Sequence, residues 1–415
     1  MPQGSRQPSP PPTPAARLVT PPLVRVFVAS LGAMSGFFLL LSVVPLYATT
    51  AGAGEVGAGL STGALLFATV AAELAAPRLV ARFGYRVVFA VGLLLLGAPT
   101  LALVGSAQLP AILAVSTVRG LGFGIVVVLG SALVASLVPA QRRGEGLGLH
   151  GVVIGVPGVV ALPFGVFLVG QAGYPLVFVI ATVVVLSGLL VVPGLPGHPG
   201  LPGHPGLPGH PGRGPTQADP DRPDPDRPVG VLTGLRTGSL LRPALVFTAT
   251  ATAGGIVVTF LPLALARGPA NLAVLALFGQ AVAATVARWW AGRFGDRHGP
   301  ARLVIPGLLA GTAGVLGLVL VDSPVVVVAG MLLFGAGFGV SQNATLSLMF
   351  SRVSRSGYGT VSAMWNLAFD IAMGLGAVGF GVLAAQTGYP AAFAVTGALM
   401  LVALVPAGLD RMLVR

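Results

Sequence analysis

No cysteine occurs among the 415 residues, so disulfides, thiol nucleophiles and zinc–thiolate sites are excluded. Lysine is absent as well, and all 23 basic residues are arginine. Charge of either sign is scarce: 8% of residues carry it, where a soluble domain has about 25%. A water-facing surface for a globule of this length cannot be assembled from so little charge. That excludes a soluble enzyme, a nucleic-acid module and a disordered scaffold. What is abundant is apolar, with 54% hydrophobic residues and a mean hydropathy of +0.92. The solvent that suits this chain is lipid. The net charge of +12 is then a matter of membrane topology, with no nucleic-acid partner expected.

A helix needs about 20 apolar residues to cross a bilayer. Twelve such runs are present, at 24–47, 57–77, 87–106, 110–137, 149–170, 174–193, 243–264, 271–291, 301–321, 324–349, 360–384 and 389–408. They lack the short alternation of barrel strands, and only helices satisfy their own backbone in hydrocarbon. The expected class is an all-α membrane protein. Ala51-Gly52-Ala53 mimics a signal-peptidase site, but the run before it exceeds the 7–15 residues of a signal h-region and is read as a span.

Arginine sets the orientation. Arg6, Arg17 and Arg25, then Arg78, Arg82 and Arg86, then Arg142 and Arg143, fall on one side, as do Arg293, Arg297, Arg302, Arg352, Arg355, Arg411 and Arg415. The opposite loops hold only Arg267, Glu55 and Asp322. Both termini are therefore expected in the cytoplasm and the protein in the plasma membrane. Residues 1–23 form an expected disordered tail, 24–193 one six-helix bundle, 194–230 a cytoplasmic linker and 231–415 a second bundle. The linker repeats GLPGHP from Gly194, Gly200 and Gly206, a composition that stays extended and solvated. Collagen-like winding and weak metal attraction by His198, His204 and His210 are the lesser readings.

The halves match at one offset of 215 residues. Arg119-Gly120-Leu121-Gly122-Phe123-Gly124 aligns with Phe334-Gly335-Ala336-Gly337-Phe338-Gly339, and Gln171-Ala172-Gly173-Tyr174-Pro175 with Gln386-Thr387-Gly388-Tyr389-Pro390. Six spans per half give both halves one orientation, as parallel repeats. Gly292-Arg293-Phe294-Gly295-Asp296-Arg297-His298-Gly299 resembles the loop signature of the major facilitator superfamily, and the stretch from Pro77 keeps its Arg82 and Gly84 but has Ala81 in place of Asp. The resemblance implies a gating role for Gly292, Asp296, Arg297, Gly299, Arg82 and Gly84. The stretch from Arg119 resembles the fourth-helix motif of proton-coupled members. Leu162-Pro163 departs from the Gly-Pro of the drug and metabolite antiporter branch.

Ionisable groups inside spans are functional candidates by default. Glu73, Arg119, Arg288 and Asp370 qualify. Arg119 lies roughly nine residues, or ~14 Å, into its span. Asp370 reads as a proton-binding carboxylate, Arg119 as a centre for proton coupling or substrate charge, and Glu73 as a further proton candidate; the bland alternatives are helix-holding bonds and, for Glu73 and Arg288, snorkelling. Glu73 and Arg288 are symmetry mates whose opposite charges could pair across the halves. Gln342, Asn343, Trp365 and Asn366 are substrate-cavity candidates, with interhelical bonding by Ser341, Gln342 and Asn343 as the alternative. Trp289 and Trp290 fit an interfacial belt, and Pro45, Pro163 and Pro262 mark candidate bends.

The expected function is secondary transport of a small amphipathic compound by alternating access, as a monomer, with proton-coupled efflux foremost. Uptake or uniport of a metabolite is the alternative, and a transport-inactive sensor or scaffold the reading from another class. No catalytic constellation, metal site or cofactor is expected.

Overall fold

The computed structural model describes residues 20–138, 143–195, 236–269, 271–353 and 358–413. The described residues are helical, with no strand among them. Nine helical stretches are long and apolar enough to cross a membrane, but Pro21–Gly105 holds 85 residues and Leu149–Gly194 holds 46. Both far exceed one crossing of about 20 residues, so each must fold back. The backbone shows where: Gly52 and Gly54 have φ of 87° and 60°, Gly84 78° and Gly173 75°. These reversals divide the first stretch into three spans and the other into two, so the described residues contain twelve spans, numbered here in chain order. The expected tail and linker lie outside the described residues except at their edges, as do Arg142 and Arg355.

The turns correct one detail of the sequence reading. A loop was expected around 78–86, but helix Gly54–Gly97 stays hydrogen-bonded through Arg82 and reverses at Gly84 alone. A positive φ costs an L-residue about 1–2 kcal/mol, and glycine avoids that strain. Gly299 and Gly388, the mates of Gly84 and Gly173, also have positive φ, at 87° and 78°. Thus the repeat is built into the turns.

It is built into the packing as well. A β-carbon on Gly120 of span 4 would overlap the Leu65 carbonyl of span 2, and one on its mate Gly335 would overlap the carbonyl of Gln280, the mate of Leu65. Gly124 meets the Thr69 carbonyl as Gly339 meets that of Ala284. Gly122 abuts span 3 as Gly337 abuts span 9. Small residues let helix backbones approach closely where lipid supplies no hydrophobic drive between helices. Of the candidate bends, only Pro45 coincides with a break, between Pro21–Leu41 and Val43–Ala48, where it lacks the N–H that would bond Leu41. Pro163 and Pro262 lie inside helices that continue on both sides of them.

The hydrogen bonds that join the halves, among the described residues, lie on the side away from the arginines. Ser42 donates to the Val258 carbonyl at 2.6 Å, Thr62 pairs with Thr259 at 3.0 Å, and Tyr389 donates to Glu55 at 3.3 Å. Gly59 packs on the Ala377 backbone, and Gly381 on that of Glu55. This side is closed.

On the arginine-rich side the second half is tied to itself. Asp410 near the end of span 12 is 7% exposed and accepts two bonds from Arg352, at 2.9 and 2.6 Å, with Arg242 at 3.8 Å. Arg352 also donates to the Ser239 carbonyl. Removing one partner of a buried pair strands the other charge, at about 3–5 kcal/mol. Asp410→Ala is accordingly expected to lower the detergent-solubilised melting temperature by several degrees, whereas Asp322→Ala, on an exposed turn, leaves it unchanged.

Candidate functional site

The candidate site is built from span 2 of the first half and spans 7, 8, 10 and 11 of the second. Asp370 on span 11 is 6% exposed, and the carboxylate within its Coulombic reach is that of Glu73 on span 2. The two helices run antiparallel, which steps the contacts from Gly59–Ala377 through Gly63–Val378 to Phe67–Gly374 and onward to this pair. Two acids therefore lie within electrostatic reach of each other across the seam between the halves. Glu73 does not pair with Arg288, as the symmetry had left open. Arg288 instead donates to Gln342 of span 10, within its own half.

Beside Asp370 stands an aromatic shelf. The Trp365 ring stacks on Phe247 at 4.2 Å and 8°, and lies within 2° of parallel to Phe369 at 5.9 Å. Trp365 Nε1 is buried without a hydrogen-bond partner, and so is Ser341 Oγ. The other cavity candidates divide. Gln342 is buried and engaged by Arg288, Asn343 is half-buried against Gly292, and Asn366 is exposed.

Arg119 lies apart from this pair. It is 1% exposed, and its Nε and Nη2 have no partner. The acidic pair therefore has no guanidinium between its members.

The loop motif is mostly helical. Leu272–His298 is one helix that includes Gly292, Asp296 and Arg297, and the turn is confined to Gly299 and Pro300. Asp296 and Arg297 are exposed, and Asp296 has no ion pair among the described residues. Arg82 is also exposed and rests over the Phe83 ring at 5.2 Å. Gly84 supplies the matching turn. Trp289 and Trp290 are exposed, with the Arg293 guanidinium 4.1 Å from the Trp289 ring centre, as an interfacial belt requires.

Two groups escaped the sequence reading. His150, 5% exposed on span 5, shares a hydrogen bond with Ser30 at 3.3 Å and stacks on Phe27. Its place near the start of an apolar run was the available signal. Asp410 was hidden among terminal arginines.

No curated protein matches the sequence. The fold is similar to a bacterial homolog of the human lysosomal transporter Spinster in an inward-facing, unoccupied conformation, with a TM-score of 0.74, 14% identity and coverage of 94% of this chain and 96% of that one. It is similar to a D-xylose–proton symporter, at 0.73 and 15% over 92% and 96% of the chains. The nucleoside transporter NupG gives 0.68 and 12% over 95% and 99%. Identities this low speak for the fold alone. Twelve spans in two repeats, with a motif-bearing turn at the same place in each, agree with a family match over residues 26–377: the chain belongs to the Major Facilitator Superfamily and is a secondary transporter of a small molecule across a lipid bilayer, not an enzyme.

Proposed function

We propose that the protein exports a small amphipathic compound across the plasma membrane by alternating access, coupled to inward proton flow, as a monomer with both termini in the cytoplasm. The observation that carries this is the packing of span 2 on span 11, which brings Glu73 and Asp370 within electrostatic reach of each other across the two halves. Two adjacent carboxylates in a medium of low dielectric repel when both are ionised, and one shared proton removes that repulsion. Rocking the halves apart returns each acid to water and frees the proton. Protonation and conformation are then one equilibrium, and whichever side is open sets where the proton comes and goes. The near-parallel rings of Phe247, Trp365 and Phe369 suit a flat apolar cargo, while Gln342, Asn343 and Asn366 supply polar contacts. Flux through proteoliposomes with a pH gradient as the only driving force tests the reading. Uphill movement of cargo is expected, and a rate indifferent to the gradient would leave uniport.

Asp296 fits a latch that is unfastened in this conformation. It sits in the last turn of its helix, where the macrodipole disfavours a negative charge, and among the described residues it has no ion pair. Closing the arginine-rich side would bring it to the start of span 11 near Gly359, whose dipole favours it. Ala81 supplies no second latch. A charge-assisted bond of about 1.5–3 kcal/mol lost in one state shifts the balance by roughly ten- to more than a hundred-fold. Asp296→Ala is expected to slow transport by that order with substrate affinity nearly unchanged. An equal fall in affinity would place Asp296 at the cargo instead.

A further inference from the structure

We infer that Arg119 and the cavity beside it form a binding site for a small monovalent anion, of the size of chloride. Nothing in the acidic pair or the aromatic shelf requires such a site. The cavity, with room for about one water-sized particle, is lined by Leu40, Leu41, Val44 and Pro45 of span 1, Ser61, Thr62 and Leu65 of span 2, and Ser116 and Arg119 of span 4. That room suits a monatomic anion rather than a carboxylate.

Three observations point to a ligand rather than to a structural arginine. The first is burial without compensation. Arg119 is the largest fully buried side chain among the described residues, and two of its nitrogens meet no acceptor there. The acidic side chains that are described lie elsewhere: Glu73 and Asp370 are within reach of each other, Asp410 holds Arg352, Glu55 accepts from Tyr389, and Asp296 and Asp322 are exposed. A guanidinium stays ionised in a protein, so it cannot escape its burial by losing the proton. It needs an anion.

The second is the repeat. The mate of Arg119 is Phe334, itself fully buried, and the glycines flanking both residues pack the same way against the same mated helices. The second half thus builds the identical helix crossing with a phenyl ring. The fold places no demand for charge at this position.

The third is the setting of the cavity. Its walls carry the hydroxyls of Ser61, Thr62 and Ser116 among aliphatic side chains, a surface that suits one charged head with few other polar contacts. Thr62 is also bonded to Thr259 of the other half. Parting of the halves on this side breaks a bond at the cavity wall, so filling of the site and opening of that side are linked. This last step rests on alternating access, whereas the site itself does not.

The anion is a free monatomic ion, and the probes test its size. Purified protein is heated in sodium gluconate, whose anion exceeds the cavity, and then with added chloride or acetate. Saturation of the site is expected to raise the melting temperature by about 2 °C or more. A response to chloride supports the proposal, and a response to acetate alone overturns it. Arg119→Leu is expected to remove the response while matching the wild type in gluconate, because replacing a buried charge by an apolar group of similar size is neutral or stabilising. Ser116→Leu, which fills the cavity and keeps the charge, is expected to remove the response too. An equal melting temperature in all three salts for the wild type overturns the site. So does a response that persists in Arg119→Leu. Proton-driven flux measured on the same preparations keeps the readings apart, since its dependence on Asp370 stands or falls without reference to anions.

Discussion

Asp370→Asn is expected to leave a protein that reaches the membrane and exchanges its cargo, yet cannot move it uphill. Asparagine keeps the size and polarity of the side chain but cannot gain or lose the proton, so the acid opposite it, Glu73, no longer meets a like charge. A gradient of one pH unit stores about 1.4 kcal/mol per proton, enough for a roughly tenfold concentration ratio at one proton per cycle. Wild-type proteoliposomes should approach that ratio, and the variant should stay near unity while counterflow of labelled against unlabelled cargo continues. Glu73→Gln should do the same if the pair acts as one proton site. A ratio near tenfold in Asp370→Asn would move proton carriage to Glu73 alone.

Gly59→Val is expected to jam the gate opposite the arginines in the open state. A β-carbon at residue 59 runs into the Ala377 carbonyl of the other half, and backbone cannot turn aside as a flexible side chain can. Overpacking of this kind costs about 1–3 kcal/mol, borne only by the closed conformation. That moves the balance roughly 5- to 150-fold toward the open one. A cysteine introduced at Ser61, 2% exposed behind the gate, should then react with a membrane-impermeant thiol reagent far faster than in the otherwise wild-type chain. Gly381→Ala, whose β-carbon meets the Glu55 carbonyl, should act in the same direction. Gly379→Ala supplies the control, because nothing lies within 4 Å of its position. Faster labelling in that control would mean that helix flexibility, not contact, governs the gate.

The sequence exposed whatever depends on one helix or one repeat. Lipid demands long apolar runs, so the spans could be counted, and duplication left glycines at a fixed spacing that reappear as mated turns and mated packing contacts. The Asp296 motif could be placed near a turn, although its helix continues to His298 because nothing before Gly299 breaks it. What could not be read was which side chains meet across the halves. The symmetry relates Glu73 to Arg288 by position in their own bundles, while contact across the seam depends on which side of the molecule is closed. In this conformation spans 2 and 11 lie together, and Glu73 meets Asp370. Nor could the orphan state of Arg119 be read, since only packing shows that no acid reaches it. His150 illustrates a different limit: a lone histidine in an apolar run is inconspicuous until its Ser30 partner is seen.

The absence of cysteine makes the decisive measurement direct, because introduced pairs are the only labelling sites. Spin labels at Thr50→Cys and Arg267→Cys, on exposed ends of spans 1 and 7, report the separation of the halves on the closed side. In this conformation the two acids are within electrostatic reach of each other, so a proton on one of them favours it and loss of that proton opposes it. The distance between the labels should therefore be short at low pH and lengthen as the pH rises, and Asp370→Asn should give a distribution that changes far less with pH. Identical distance distributions at low and high pH in the wild-type background would contradict proton coupling through the pair.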